Sequence, residues 1–520
     1  MLEQLPALQV ALPLLAAPII VLFGRAGFGW AAATAVSWAC LAIAIGLALQ
    51  VAEGRVISYA MGSWPPPWGI EYRVDALSVF VLVLVSLIAA VVMPYARRSV
   101  GAEIEPDRQY LFYAMYCLCL AGRLGMVITG DAINLFVFLE ISSLATSVLI
   151  ALGPRRKALV ASYQYLLLGT VGATFYVIGV GLLYLKTGTL NLADMAERLR
   201  EVKELRPVLA ALAFITVGLG LKLALFPLHA WLPNAYAYSP SMVSAFVAAT
   251  GTKVSIYALL RYYFTVFDPA PLFETLPTRE LFIALSVAAM IIASLVAVFE
   301  KDVKRLFAYS SVAQVGYITL GLGVDNLSSL TGSIVHLLNH GVTKGAIFLL
   351  LGTVALRSGS VAMTVNGLAG LGRRMPLTAF GLVIAGLSLI GIPGTAGFVT
   401  KWYLIVGALD LGLWWLVGAI AVSSLIAVAY VWRVVEASYL REASGTAPPG
   451  IAYWARQYES PYDGPPSAMP TTERPRTGSP RPSASTAASS WTAAPCAPAP
   501  SSRTGSAGSG SGCTRGRSRP

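Results

Sequence analysis

Charge is scarce in this sequence. Only 12% of its 520 residues are Asp, Glu, Lys or Arg, whereas 56% are hydrophobic, and the mean hydropathy is +0.69. An average soluble protein has about 25% charged residues. The composition therefore excludes a water-soluble globule. The apolar residues recur in runs of about 20, long enough to cross a bilayer, which predicts one large polytopic membrane domain.

Cysteine and histidine are also few, with five and three residues. Three of the cysteines, Cys40, Cys117 and Cys119, lie inside apolar runs, where cysteine packs as a small hydrophobic residue. The spacings match no zinc or disulfide pattern. We therefore expect no metal site and no cofactor in this chain.

The net charge of +12 is unevenly placed. Residues 465–520 hold seven Arg and one acid, Glu473, so half of the excess lies there and nucleic-acid binding is not predicted. From about residue 444 the chain consists mainly of Pro, Ser, Ala, Gly, Thr and Arg without periodicity, which predicts a disordered tail over 444–520. Its composition also resembles an out-of-frame reading of a GC-rich gene. The N-terminus lacks the basic start of a signal peptide, so Leu5–Phe23 is expected to be a retained helix.

The apolar runs predict an all-α polytopic membrane protein with about 13 transmembrane helices, since backbone polar groups in lipid must be satisfied within each span. The predicted spans are 5–24, 30–52, 75–95, 109–129, 131–152, 160–185, 207–227, 240–264, 281–299, 306–324, 328–356, 377–405 and 411–435.

The connecting loops alternate in charge. Loops after odd-numbered spans are basic, as in 97–108 and 155–157, whereas those after even-numbered spans are balanced or acidic. The positive-inside rule then places the odd loops in the cytoplasm and the N-terminus outside. The loop after the seventh span is the exception, because it is nearly uncharged.

Two predicted spans are interrupted. Residues 226–240 hold three prolines around a His and a Trp, and residues 391–397 read Gly-Ile-Pro-Gly-Thr-Ala-Gly, so helices 7 and 12 should be broken. Lys222 and Lys401 adjoin the breaks, 179 positions apart, and the fourth and ninth spans begin 172 positions apart. Paired broken segments point to an ion site between structural repeats. We expect helices 1–3 in residues 1–108 and two inverted five-helix repeats in 109–264 and 281–435.

Ionisable residues inside the spans carry the functional signal. Each costs a few kcal/mol at the bilayer centre, so such residues usually mark an ion path. They are Glu140, Lys222, Lys253, His336, His340, Lys344 and Lys401. Carboxylate, ammonium and imidazole groups in series can exchange protons, as a relay requires.

Simpler explanations apply to some of these residues. Lys344 could snorkel to an interface, and Arg123 and Lys186, near span ends, are expected to be interfacial. His336 and His340 share one helix face at a spacing that also suits a metal, but Leu337 stands where an HExxH motif has its glutamate.

Five segments, in this order, resemble the antiporter-like subunits shared by respiratory complex I, membrane-bound hydrogenases and Mrp-type cation/proton antiporters. They are residues 138–143 (FLEISS), 221–236 (LKLALFPLHAWLPNAY), 304–311 (KRLFAYSS), 336–344 (HLLNHGVTK) and 391–398 (GIPGTAGF). The resemblance covers about residues 75–435, and residues 140–146 look most like the D-type member of the Mrp branch or a related orphan.

The resemblance implies about fourteen helices with two inverted repeats and no redox centre in this subunit. It implies that Glu140 pairs with Lys222, and that Lys253, His336, His340 and Lys401 carry protons onward. Other membrane subunits of a hetero-oligomeric antiporter or respiratory complex would be its partners, in the cell membrane. One departure is that the low-complexity tail follows the thirteenth span, where the family has its last helix.

Two active roles and one inactive role follow as hypotheses. In the first, protons pass from Lys222 through Lys253 and the histidines to Lys401 while Na⁺ is exchanged, and Glu140 gates the first step. In the second, the same path serves a quinone-reducing or hydrogen-evolving complex driven by other subunits. In the third, the chain is a membrane scaffold with vestigial charges.

Overall fold

The computed structural model describes residues 2–267, 277–358 and 363–442, and these are almost entirely helical. Eleven helices are long and apolar enough to cross a membrane, or twelve if one bent pair counts as a single span. The predicted all-α polytopic class is therefore confirmed. The count of thirteen, the inverted repeats and the domain boundaries stay predictions, and the predicted disordered tail lies outside the described residues.

Eighteen helices follow one another along the described chain. They are α1 (Leu5–Phe23), α2 (Ala26–Val51), α3 (Ala76–Glu103), α4 (Gln109–Ile128), α5 (Ala132–Ala151), α6 (Lys157–Thr187), α7 (Leu192–Leu199), α8 (Leu205–Leu223), α9 (Leu232–Tyr238), α10 (Ser241–Arg261), α11 (Thr278–Ala288), α12 (Ser294–Phe299), α13 (Val303–Val324), α14 (Leu327–Ser358), α15 (Leu371–Arg374), α16 (Pro376–Ile390), α17 (Ala396–Asp410) and α18 (Trp414–Tyr439). A π-helical turn, Ala289–Ala293, joins α11 to α12.

The outer helices show large apolar side chains on their outside. Leu22, Leu185 and Leu425 are among them, each at least 70% exposed. Such side chains are costly in water but stable against lipid chains, so this surface fits a protein that spans a bilayer.

A short β-hairpin connects α2 to α3. Strands β1 (Ile57–Ala60) and β2 (Glu71–Val74) pair antiparallel, with Ile57 opposite Val74. Asp75 follows directly and caps α3, since its carboxylate accepts from the backbone N–H of Ser78 at 3.0 Å.

Helix α10 is the most deeply buried of the candidate spans. It packs against α3, α8 and α14, and both its ends are tied to α3. At its start Glu103 accepts from the Ser241 backbone N–H at 2.8 Å, and at its end Arg261 pairs with Asp75. Burial alone would raise the pKa of Asp75, but the hydrogen bond and charge of Arg261 hold it below the ordinary value. The carboxylate at the N-terminus of α10 and the cation at its C-terminus both complement the helix dipole.

Both predicted interruptions are present. Helix α8 ends at Leu223 and α9 begins at Leu232, while α16 ends at Ile390 and α17 begins at Ala396. A further bend of 116° precedes Pro376, where the sequence had not predicted one.

Candidate functional site

The predicted site residues lie on five different helices. Glu140 is on α5, Lys222 on α8, Lys253 on α10, His336 and His340 on α14, and Lys401 on α17. All except Glu140 are less than 10% exposed. Electrostatic interactions connect Lys253 with both histidines, and Lys401 with His336. The predicted residues thus form two groups, the Glu140–Lys222 pair and the set of Lys253, His336, His340 and Lys401.

Glu140 and Lys222 form an ion pair. The Lys222 Nζ lies 3.4 Å from Glu140 Oε1 and donates a hydrogen bond to Ser143 Oγ at 2.6 Å. The carboxylate is the more open partner, with 22% of its side chain exposed against 7% for Lys222. The distance of 3.4 Å between the two charged groups is long for an ion pair. Ser143 is a second polar partner of Lys222 that remains if Glu140 moves away.

The break after α8 positions Lys222. The lysine lies in the last turn of α8, and Ala224 then adopts a left-handed backbone conformation with φ 61°. The indole N–H of Trp231 donates to the Leu221 carbonyl at 2.8 Å and so folds the broken segment back onto the helix end. Beyond the break, Asn234 bonds both Gln164 of α6 and Arg305 of α13.

Lys253 has no carboxylate within ion-pair distance in the described part of the chain. Its side chain is fully buried, and its ammonium donates to the Ala248 carbonyl at 2.6 Å. A buried ammonium whose charge is balanced by a single carbonyl oxygen costs free energy of folding.

His336 and His340 stack on one face of α14. Their ring centroids are 5.5 Å apart with an angle of 13° between planes. None of their four ring nitrogens has a hydrogen-bond partner among the described residues. Buried imidazole nitrogens normally bond water when protein partners are lacking, and the pair is thus suited to a water-assisted proton path.

Lys344 extends this face by one more turn, four residues after His340. It is fully buried, and its ammonium donates to the Phe307 carbonyl at 2.7 Å and to Ser310. The alternative that it snorkels to an interface is therefore wrong. Both partners belong to the segment 304–311, so that motif holds Lys344 from α13. The i, i+4, i+8 spacing of the three residues was the signal that could have placed Lys344 in the site.

Lys401 sits at the second break. Its ammonium donates to the carbonyl of Ile390 at 2.6 Å and to Ser424 Oγ at 2.7 Å, and lies 4.7 Å from the Tyr317 ring centroid. It thus binds the C-terminal carbonyls of α16, where the helix dipole favours a cation. Lys222 precedes its break whereas Lys401 follows its own, so the two lysines are held differently.

Arg123 was expected at an interface, and this was wrong. Its side chain is only 2% exposed, its guanidinium donates to the Phe246 carbonyl at 3.3 Å and to Thr250, and it lies 4.4 Å from the Phe246 ring centroid. Proximity to the end of α4 misled the prediction, because α4 is itself packed between α1, α5 and α10. By contrast, Lys186 pairs with the exposed Glu204.

A cavity of about 30 Å³ lies between the Glu140–Lys222 pair and Arg123. Arg123, Ser143, Tyr165 and Lys222 are among its lining residues. Such a space has room for at least one water molecule. The described residues contain no group of three or more His, Cys, Asp or Glu side chains placed to hold a metal ion. The ammonium, imidazole, carboxylate and hydroxyl groups of the arrangement can exchange protons between nitrogen and oxygen atoms.

The chain is similar in sequence and in structure to known proteins. Residues 129–427 match the family described as NADH:quinone oxidoreductase/Mrp antiporter, TM. The N-type subunit of the NADH-quinone oxidoreductase of Desulforudis audaxviator is 43% identical over 86% of this chain and 91% of its own. The D-type subunit of the Na⁺/H⁺ antiporter of Alkalihalophilus pseudofirmus is 33% identical over 71% of this chain and 73% of its own. A chain of the membrane-bound sulfane sulfur reductase, an archaeal respiratory membrane complex, superposes with a TM-score of 0.79 at 30% identity, covering 87% of this chain and 92% of its own.

Proposed function

The chain belongs to the NADH:quinone oxidoreductase/Mrp antiporter transmembrane family, and we propose that it is the proton-translocating subunit of a multisubunit Na⁺/H⁺ antiporter. Protons move along the row Lys222, Lys253, His336/His340 and Lys401. The observation that carries this proposal is the row of buried cationic groups in which only Lys222, within the described chain, has a carboxylate at ion-pair distance.

Glu140 gates the first transfer. As an anion at 3.4 Å it stabilises the charged form of Lys222. When Glu140 is neutralised or moves away, the charged ammonium loses that stabilisation and its proton passes on. Ser143 remains as a hydrogen-bond partner at 2.6 Å, so Lys222 need not leave its position.

Serine hydroxyls recur along the proposed row. Lys222 bonds Ser143, Lys344 bonds Ser310, and Lys401 bonds Ser424. A hydroxyl accepts from a charged ammonium and can donate to a neutral amine, so it serves either protonation state of its lysine. Lys344 therefore joins the row as a further proton-carrying group beside the histidines.

A second function is favoured by the 43% identity to an NADH-quinone oxidoreductase subunit. In that setting the same row translocates protons within a respiratory complex whose other subunits carry the electrons. Either function requires other membrane subunits as partners. We propose a cell-membrane location with the N-terminus outside, and two inverted repeats in residues 109–264 and 281–435.

The composition of the assembled complex discriminates between these functions. The complex is purified through a tag on this chain and its subunits are identified by mass spectrometry. Small membrane subunits alone support the antiporter, whereas iron–sulfur and flavin subunits support the respiratory complex.

Two substitutions test the proton row in inside-out vesicles that contain the assembled complex. Lys222→Ala should abolish Na⁺/H⁺ exchange while the protein remains inserted, because the first carrier is lost. Glu140→Gln keeps shape and hydrogen bonding but removes the charge that holds the Lys222 proton, so activity should fall severely and its pH optimum should move.

Two results would contradict the proposed proton row. Undiminished exchange in Lys222→Ala would remove Lys222 from the path. A Glu140→Gln protein that matches wild type at acid, neutral and alkaline pH would show that the ion pair is structural. If the wild-type complex shows no cation exchange, the same two variants are measured in proton pumping driven by NADH.

A further inference from the structure

Arg123 is a buried cation that the proton row does not use. An arginine side chain stays protonated in proteins, so Arg123 cannot carry a proton from one group to the next. Its position is nevertheless central, because it lines the same cavity as Lys222 and interacts electrostatically with Lys253.

The charge of Arg123 is poorly compensated. No carboxylate lies within ion-pair distance of it among the described residues, and its Nε has no hydrogen-bond partner there. Its contacts are the Phe246 carbonyl and ring, Thr250, and Thr146 at 3.4 Å. A buried cation held only by neutral groups destabilises a fold relative to an apolar residue of similar volume. Packing alone therefore does not explain an arginine at this position.

Polar side chains lie between Arg123 and Lys222 and between Arg123 and Lys253. On one side Tyr165 interacts with Arg123, Thr146 and Ser143, and Ser143 bonds Lys222. On the other side Thr250, which accepts from Arg123, precedes Lys253 by one turn of α10. Arg123 thus shares a cavity with Lys222 and interacts with Lys253, the donor and the acceptor of one transfer in the proposed row.

We propose that Arg123 is a positioning residue whose fixed positive charge controls proton transfer from the Glu140–Lys222 pair to Lys253. This inference rests on the proposed proton path. With Arg123 charged, protons on Lys222 and Lys253 together would place three cations beside one carboxylate. That state is strongly disfavoured, so the two lysines share one proton at a time, and a proton that reaches Lys253 is driven onward to α14.

Other groups also face Lys253. Helix α14 contributes His336, His340 and Lys344, which all interact with it. Helix α9 contributes Tyr236, which interacts with Arg123 and with Thr252, the neighbour of Lys253 in the chain. All of these groups are neutral in at least one protonation state, so the permanent charge near Lys253 comes from Arg123.

The test compares Arg123→Met, Arg123→Gln and Arg123→Lys with wild type in vesicles that contain the assembled complex. Met keeps much of the volume without charge, Gln keeps a hydrogen-bond donor, and Lys keeps a cation. Lys186→Met is the matched control, because Lys186 is a basic residue near a span end that pairs with an exposed glutamate outside the cavity. The readouts are the pH profile of proton transport and the melting temperature of the purified complex.

We expect Arg123→Met and Arg123→Gln to assemble with melting temperatures no lower than wild type, because an uncompensated charge is removed. The alkaline limb of their pH profile of proton transport should move to higher pH by about one unit, as expected for the loss of a nearby unit charge. Arg123→Lys and Lys186→Met should keep the wild-type profile.

A wild-type pH profile in Arg123→Met or Arg123→Gln would overturn the inference. Failure of both variants to assemble would make Arg123 structural and would overturn it as well. Failure of the proposed function gives a different pattern, in which Lys222→Ala transports protons like wild type.

Discussion

At the scale of single residues, the buried lysines differ in what holds their charge. Lys222 has a carboxylate at 3.4 Å, Lys401 has two backbone carbonyls and a hydroxyl, and Lys253 has one carbonyl. Ionic and dipolar partners stabilise a protonated ammonium to different extents. The proposed row therefore consists of unequal sites, and a change in one partner is enough to alter the direction in which a proton moves.

Small changes next to Lys222 should therefore affect transport. Gly169 on α6 faces the ammonium, and a Cβ added there would lie 3.3 Å from Lys222 Nζ. Gly169→Ala should displace the ammonium by a few tenths of an ångström and weaken its contacts to Ser143 and Glu140. We expect transport in vesicles to fall at least severalfold while the amount of assembled complex is unchanged.

The matched control is Gly181→Ala on the same helix, where an added Cβ meets nothing within 4 Å. Replacing a helix glycine by alanine stabilises a helix by roughly 0.5–1 kcal/mol, so this variant should melt no lower than wild type and transport normally. Equal transport by the two variants would show that the position of Lys222 is not critical.

At this scale the sequence predicted which charged residues lie deep in apolar runs, because that depends only on neighbouring residues. It did not predict burial that depends on packing against a distant helix. The residues alone indicated that Glu140 and Lys222 are charges deep in apolar runs, and the resemblance of their segments to the family implied that the two pair. The burial of Arg123 could not be read from its distance to a span end, because it depends on Phe246 and Thr250 from a helix more than 100 residues later. The sequence left Lys344 open between the ion path and an interface for the same reason, because its burial depends on contacts with Phe307 and Ser310 from another helix.

At the scale of elements, the break between α16 and α17 shows how the backbone conformation of a broken helix positions Lys401. Gly391 has φ +82° and a Cβ there would lie 2.7 Å from Lys401 Cδ, whereas Gly394 has φ +88° with nothing within 4 Å of its Cβ position. Both glycines adopt a backbone conformation that is costly for other residues by roughly 1–2 kcal/mol. Only Gly391 also makes room for the lysine.

This difference predicts unequal outcomes for two chemically identical substitutions. Gly391→Ala and Gly394→Ala should both lower the thermal stability of the complex through backbone strain. Gly391→Ala should in addition move Lys401 away from the carbonyls of α16 and reduce proton transport at least tenfold more than Gly394→Ala. Vesicle transport, normalised to the amount of assembled complex, measures this ratio, and a ratio near one would contradict the role of the break in holding Lys401.

The sequence predicted the breaks well, because proline and glycine act on the backbone locally. It did not predict the β-hairpin between α2 and α3 or the bend before Pro376. The hairpin strands have four residues each, too few for a periodic signal, and their pairing is a contact across a turn. The ties between α3 and both ends of α10 likewise join residues far apart in sequence.

At the scale of the whole molecule, the proposed orientation rests on the charges of the loops. Arg97, Arg98 and Arg108 near the end of α3 and the start of α4 favour the cytoplasm, whereas the loop after α2 is balanced. Helix α3 has 28 residues and spans about 42 Å at 1.5 Å per residue, so its two ends should lie on opposite sides of the bilayer.

Cysteine labelling in intact cells tests this orientation. The background protein carries Cys496→Ser and Cys513→Ser, and the remaining Cys40, Cys117 and Cys119 are buried. Glu53→Cys and Asp107→Cys place single thiols at exposed positions before and after α3, and neither removes a basic residue. A membrane-impermeant maleimide should label Glu53→Cys directly and Asp107→Cys only after permeabilisation, because the basic loop stays inside. The reverse pattern would place the N-terminus in the cytoplasm and invert the direction of the proposed proton path, and direct labelling of both would mean that α3 does not cross the membrane.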